Sequence, residues 1–275
     1  MIFDTPIPFA EAIASRKVRK ILPTSAGSAE IAKLGPEILR RATFSAQLAT
    51  MGPLVQMDKL LTEMTSPAAR AAKGLGAIDA GTFRLEMREA LAKAGYTAPE
   101  GKEGGLLDHT SDTRLNLILK TNLDQAYGYG QYAQGQDPDL LDLWPCQELV
   151  RVESREKPRG NGTYWPREWQ AKGGKLYGGR MIARKDSPIW TAISRFGNPY
   201  PPYDYMSGMG LRDVKRSEAE ELGVIKRSDI VKPTAQPLNE NVSAAMPQGI
   251  SKSLASALKQ IFTVKAGRVI LEAAQ

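Results

Sequence analysis

Apolar residues in the first hundred positions recur mostly three or four apart, so each segment has one apolar and one polar face and reads as helix. Leu54, Met57, Leu60, Leu61 and Met64 form the clearest stripe and predict a helix over 54–64, its methionines serving as core or helix–helix contacts. Phe83, Leu85, Met87 and Leu91 predict another over 83–94, stopped by Gly95. Upstream, Phe9, Ile13 and Ile21 imply a helix opened by Pro8 and ended by basic residues and Pro23. A short helix is expected over 29–34. A further one starts at Pro36 with Leu39, Thr43, Phe44 and Leu48 on its face, ending before Gly52-Pro53. Small residues over 67–80 mark a loop or hinge.

The spacing changes in the second half. After a turn-rich stretch at 97–105, the longest helix is expected over 111–134, capped by Ser111 or Asp112 and lined by Leu115, Ile118, Leu119, Asn122 and Ala126. Gly128 and Gly130 weaken its far end, which is expected to bend or to allow close approach of another chain. Asp137-Pro138 opens a short segment around Leu140, Leu141 and Leu143. Residues 148–155 then alternate as a strand, Val150 and Val152 on one face and Arg151, Glu153 and Arg155 on the other, with 176–183 as a pairing strand. From Ser187 the chain sets Trp190, Phe196, Pro199, Tyr200, Pro201, Pro202, Tyr203 and Tyr205 ahead of a turn at Ser207-Gly208-Met209-Gly210, and a helix-favouring segment follows over 213–222. Such a stretch closes a domain, with Trp190, Tyr200, Tyr203, Tyr205, Gly208 and Gly210 as its structural residues. Residues 233–248 read as a flexible linker, 251–262 as an amphipathic helix through Leu254, Leu258 and Ile261, and 262–271 as a short hairpin or a strand offered to a partner. The expected fold class is α+β, mainly helical. A helical N-terminal region spans 1–96, a compact α+β domain with a small β-sheet spans 97–225, and a C-terminal extension spans 226–275.

Charge adds one feature. The chain of 275 residues carries a formal net charge of +7. The window 151–185 holds ten basic side chains against three acidic ones, Glu153, Glu156 and Glu168, and so contains that whole excess. Arg151, Arg155, Lys157, Arg159, Arg167, Arg180, Arg184 and Lys185 are the candidate contacts for nucleic acid or an acidic partner. Tyr164, Trp165, Trp169 and Tyr177 interleave with them, and the tryptophans are expected to pack inward.

Candidate chemistry is sparse. One cysteine, Cys146, excludes an intramolecular disulfide, and with one histidine, His109, it excludes a standard Cys/His zinc site within one chain. Cys146 follows Pro145 in an apolar setting and reads as a small buried hydrophobe. Asp108, His109 and Asp112 form the one local acid–base cluster, but just before a helix aspartates cap far more often than they catalyse. Gly173-Gly174 and Gly178-Gly179 match no phosphate-binding fingerprint and read as turns. No catalytic residue, metal ligand or cofactor is expected. No apolar run is long enough to span a bilayer and no signal-peptide core is present, so a cytoplasm, or a particle assembled there, is the expected setting.

Three segments carry a family resemblance: Ser111-Asp112-Thr113-Arg114 running on to the pair Thr121-Asn122, then Glu148-Leu149-Val150-Arg151-Val152-Glu153, then the Pro-aromatic stretch 187–224. Together they resemble the Mu F-like minor head, or head-morphogenesis, proteins of tailed bacteriophages and prophages, over roughly residues 80–225. The resemblance implies a structural protein of the phage head, at the capsid interior or portal vertex, with portal, major capsid or scaffold protein as partners and packaged double-stranded DNA as a contact. Many members carry Cys or His after the strand and a Cys-x-Cys pair in the loop, which implies a metal clasp. Here Arg155-Glu156-Lys157-Pro158-Arg159 and Gly208-Met209-Gly210 stand in those places, which leaves packing to close the domain. The competing reading from another class is a nucleic-acid-processing enzyme or toxin-like nuclease using the 151–185 surface near His109.

Overall fold

The computed structural model describes residues 9–154, 156, 159–234 and 241–273. The fold is α+β and mainly helical. In chain order its elements are α1 (Ala10–Lys17), β1 (Lys20–Ile21), α2 (Ser28–Ile31), α3 (Pro36–Arg40), β2 (Ala42–Thr43), α4 (Met51–Thr65), α5 (Pro67–Ala71), α6 (Ala80–Lys93) and α7 (Asp112–Gln134). There follow α8 (Pro138–Leu143), β3 (Cys146–Arg151), α9 (Tyr164–Ala171), β4 (Leu176–Tyr177), β5 (Arg180–Arg184), α10 (Ile189–Ala192), β6 (Met209–Val214) and α11 (Arg216–Glu221). The chain ends with β7 (Val242–Ala245), α12 (Lys252–Ile261), β8 (Thr263–Lys265) and β9 (Arg268–Leu271).

Two compact units share these elements. Unit 1 is Met1–Tyr127 with Pro237–Gln275, and unit 2 is Gly128–Gln236. This division departs from the regions expected at 1–96, 97–225 and 226–275. The turn-rich residues after Tyr96 are no boundary, because Leu115, Ile118 and Leu119 of α7 share a core with Leu54, Met57 and Leu61 of α4 and Phe83, Met87 and Leu91 of α6. The C-terminal residues are no mere extension either. Leu254, Leu258, Phe262, Val269 and Leu271 pack with Leu22, Ile31, Leu34 and Ile38 in a second core of unit 1. The expected hairpin forms there as β8–β9, and β7 joins it in the antiparallel order β7-β9-β8.

Local rules account for the helices that periodicity foretold. Asp79 accepts the Thr82 amide at 2.7 Å to start α6, Ser111 Oγ accepts the Arg114 amide at 3.0 Å to start α7, and Gly95 ends α6's turn at φ +70°. Periodicity misleads elsewhere. The first helix stops at Lys17, and Ile21 lies in β1, paired in parallel with β2 (Lys20↔Ala42, Ile21↔Thr43). The helix begun at Pro36 stops at Arg40, so Thr43 is in a strand and Leu48 bridges to Thr24. Leu85 is exposed, residues 67–71 form α5, and part of the supposed linker is strand β7. The rest of that linker, 235–240, lies outside the described residues.

Unit 2 is built on an antiparallel sheet in the order β4-β5-β3-β6. One core cluster contains Leu149, Trp165, Trp169, Ile189, Trp190, Tyr203 and Met209, and the other Cys146, Ile182, Val214, Ala219 and Ile225. Cys146 and Leu149, three positions apart on β3, fall in different clusters, as the opposite faces of a pleated strand require. The supposed turn at 207–210 is half strand: Gly208 turns, at φ +65°, while Met209 and Gly210 already pair with Arg151 and Val150. That pairing continues to Val214↔Cys146, which delays the following helix to Arg216.

Candidate functional site

The closing stretch of unit 2 is held by buried aromatics. Trp190 is fully buried, its indole N–H donates to the Arg184 carbonyl at 2.8 Å, and its ring meets Trp169 edge-on at 5.1 Å. Tyr203 is equally buried, donates to the Pro199 carbonyl at 3.4 Å, and has its phenol pushed well above the ordinary value by that burial. Tyr200 is buried edge-on to Tyr129, while half-buried Tyr205 packs edge-on to Phe196. Two glycines fit because the neighbouring chain is close. A Cβ on Gly210 would lie 2.8 Å from Val152 Cγ1, and one on Gly128 would collide with the Pro201 carbonyl. What approaches Gly128 is thus the closing loop of the same chain, where the sequence suggested another chain.

Ionic and backbone contacts tie the residues after β3 to this loop. Arg159 forms an ion pair with Asp204, donates to the Tyr205 carbonyl at 2.8 Å and lies over the Tyr164 ring. Arg151 donates to the Ser207 carbonyl at 3.3 Å, and the Val152 amide donates to the Gly208 carbonyl at 3.0 Å. The two segments that the resemblance associates with a Cys/His clasp are thus joined by guanidinium, carboxylate and backbone. Packing alone does not close the domain.

The basic window divides sharply. Arg180 lays its Nε and Nη2 on Glu148 at 3.0 and 2.8 Å and reaches Glu218 at 2.8 Å, and its guanidinium pKa is raised, first by the hydrogen bond to Glu148. Arg212 joins the same two carboxylates at 2.8 and 3.0 Å, completing a square of two cations and two anions. Arg184 is bidentate on Asp186 at 2.8 and 2.6 Å, and Lys185 is buried against Asp213 at 2.8 Å. Arg167 is exposed, and Arg155 and Lys157 lie outside the described residues. Trp165 and Trp169 point inward, Trp169 fully buried. Composition hid the square, since three of its four contact pairs span 32 to 64 residues and only Arg212 and Glu218, six apart, are near in sequence.

The acid–base cluster is engaged in local bonds. Asp108 accepts from the Thr110 amide and hydroxyl at 2.8 and 2.6 Å and from the Gly104 amide at 2.9 Å. Burial raises its pKa, but these bonds outweigh it and the net shift is downward. Asp112 bonds Arg84 at 3.2 Å and Arg88 at 2.5 Å. The His109 ring is buried against Tyr96, with Nε2 3.4 Å from the Gln47 carbonyl and no partner at Nδ1. Burial, then the Arg114 charge, lowers its pKa. Cys146 is fully buried, and that burial pushes its thiol up to about 12. A shallow depression of about 470 Å³ is lined by Asp142, Arg216, Glu220, Arg227 and Asp229, and Arg216 is already bound to Asp142 at 2.9 Å. Among the described residues, no group of three or more His, Cys, Asp or Glu side chains is placed to hold a metal ion, and no helix is long and apolar enough to cross a membrane.

No family model, curated protein or solved structure matches the chain.

Proposed function

We propose that this chain is a structural minor head, or head-morphogenesis, protein of a tailed bacteriophage or prophage. It would sit at the capsid interior or portal vertex, bind portal, major capsid or scaffold protein, and contact packaged DNA. The observation that carries the reading is the closing stretch 187–224, the segment through which the chain resembles Mu F-like proteins. Its aromatics are spent on packing, its loop is clasped to the residues after β3 by Arg159 and Asp204, and neither supplies a nucleophile beside a base. Adhesion rather than catalysis suits such a part.

The test is mass spectrometry of purified particles from a lysogen carrying the gene, counting this protein against the major capsid protein. A low, reproducible copy number is expected. Absence from mature particles would remove the virion assignment, and a nuclease assay on the purified chain would then test the enzyme reading.

A further inference from the structure

We infer that the depression between α8, α11 and the turn after α11 is a docking surface for a second copy of this chain. Ile230 of each copy enters the depression of the other, and Arg227 of each faces Glu220 of the other. The inference goes beyond the head assignment and does not depend on it.

A short repeat in the sequence borders this depression. Val214-Lys215-Arg216-Ser217-Glu218 returns eleven residues later as Ile225-Lys226-Arg227-Ser228-Asp229. Val214 and Ile225 are buried in one core cluster, and both arginines and both following serines line the same depression. There the likeness ends. Arg216 is fully engaged: Nη2 donates to Asp142 Oδ1 at 2.9 Å, Nε to the Asp142 carbonyl at 2.8 Å and Nη1 to the Asp229 carbonyl at 3.2 Å. Arg227 is exposed, and among the described residues its guanidinium has no ion pair or hydrogen bond. Half-buried Glu220 lines the same depression, and its carboxylate has none either. A cation and an anion thus share one depression without meeting, and each is open to a group from outside.

Ile230 supplies the apolar centre. It lines the depression and is 75% exposed, the highest value for a large apolar side chain among the described residues. Its backbone is nonetheless held. Arg184, bidentate on Asp186, donates to the Ile230 carbonyl at 3.0 Å, Arg216 holds the Asp229 carbonyl, and buried Val231 follows. The turn before it is closed twice, by the Asp229 amide on the Lys226 carbonyl at 3.0 Å and by the Lys226 amide on the Asp229 carboxylate at 2.9 Å. The isoleucine is therefore in place before a partner arrives, which lowers the ordering cost of docking.

The class of partner follows from shape and charge. Small ligands occupy sites that bury most of their surface, and a shallow depression does not. Arg216 and Arg227 stand against Asp142, Glu220 and Asp229, so the lining favours neither a polyanion nor a polycation. An apolar centre with one unpaired cation and one unpaired anion is complementary to itself. In a twofold contact residue i of one copy meets j of the other, and j meets i. Both unpaired groups then gain a partner, and both isoleucines leave water.

The experiment is sedimentation equilibrium of the full chain over a concentration series. Wild type should reach a dimer. R227E and E220K each set like charges together at two places by symmetry, so either variant alone should dimerise about tenfold more weakly or worse. Mixed in equal amounts, the two should form a heterodimer about as tight as the wild-type dimer, because opposite charges then meet at both places. The R227E/E220K chain should recover on its own for the same reason. I230S should also weaken the dimer about tenfold or more, with thermal denaturation unchanged. It keeps the test open should a charge reversal fail to fold. A wild-type chain that stays monomeric throughout, a dimer indifferent to all three positions, or a mixture of folded variants no tighter than its parts would each overturn the assignment.

Discussion

Two charged clusters, one in each unit, show how differently a fold can house an arginine. In unit 1, Arg16 of α1 is fully buried and meets Asp58 of α4 at 2.7 Å. Its other bonds go to neutral acceptors, Asn122 Oδ1 at 3.2 Å and Thr43 Oγ1 at 3.5 Å, and its Nε has no partner. Burial, with Arg19 adding to it, lowers this guanidinium to about 9 against the pull of Asp58, so it stays charged at neutral pH. In unit 2, Glu148, Arg180, Glu218 and Arg212 share their charges around a square whose arginine side chains are 30% and 48% exposed. The first cluster depends on a single carboxylate, because the desolvated cation has no water to fall back on. The second has alternatives at every corner.

The contrast predicts a descending series of losses. Asp58→Ala should be the most damaging, about 3–5 kcal/mol by chemical denaturation, because it strands a buried charge. The double variant R16M/D58L should regain most of that loss, since a buried pair replaced by well-packed apolar residues is often neutral. A double variant as unstable as Asp58→Ala would show that Arg16 is needed for more than its pairing. Glu148→Gln should cost about 2–3 kcal/mol, less than Asp58→Ala, because Arg180 and Arg212 keep Glu218 and water. A loss equal to that of Asp58→Ala would erase the distinction between the clusters.

His109 sharpens the comparison as a buried group that can discharge where Arg16 cannot. Its folded pKa lies below the ordinary value of 6.5. Between those two values the unfolded chain binds more protons, so stability should rise with pH by at most about 1.4 kcal/mol per pH unit. Arg114, Asp108 and Tyr96 are the charged or titratable groups around the ring, and none of them is replaced in His109→Phe. That variant should flatten the slope just below pH 6.5, and an unchanged slope would move the effect to other groups. Glu218→Gln comes last at about 0.5 kcal/mol, fading with added salt, as suits a carboxylate one-third exposed.

What the sequence made legible follows the range of each interaction. Helices α4, α6 and α7 were readable because their stripes repeat locally, and the Ser111 cap because cap and amide are three residues apart. The inward turn of Trp165 and Trp169 was readable from ring size alone. Strands β1 and β2 were not, since two-residue strands have no period and their partner is twenty residues distant. Phe44 and Leu48 therefore passed for a helical face. Strand β7, Val-Ser-Ala-Ala, is too weakly apolar to stand out from a linker and exists because β9 pairs with it. The pairing within the basic window was hidden for the same reason: composition counts charges, and only the fold says which are already spoken for.

One feature of unit 1 bears on how the protein comes into being. Its second core joins residues 22–42 to residues 254–271, with the whole of unit 2 encoded between them. On the ribosome Leu22, Ile31, Leu34 and Ile38 emerge before unit 2 and lack their partners Leu254, Leu258, Phe262, Val269 and Leu271 until those are made. Unit 2, contiguous in the chain, can close before its host does. Order of synthesis thus favours the inserted piece, which can mature before the unit that it interrupts.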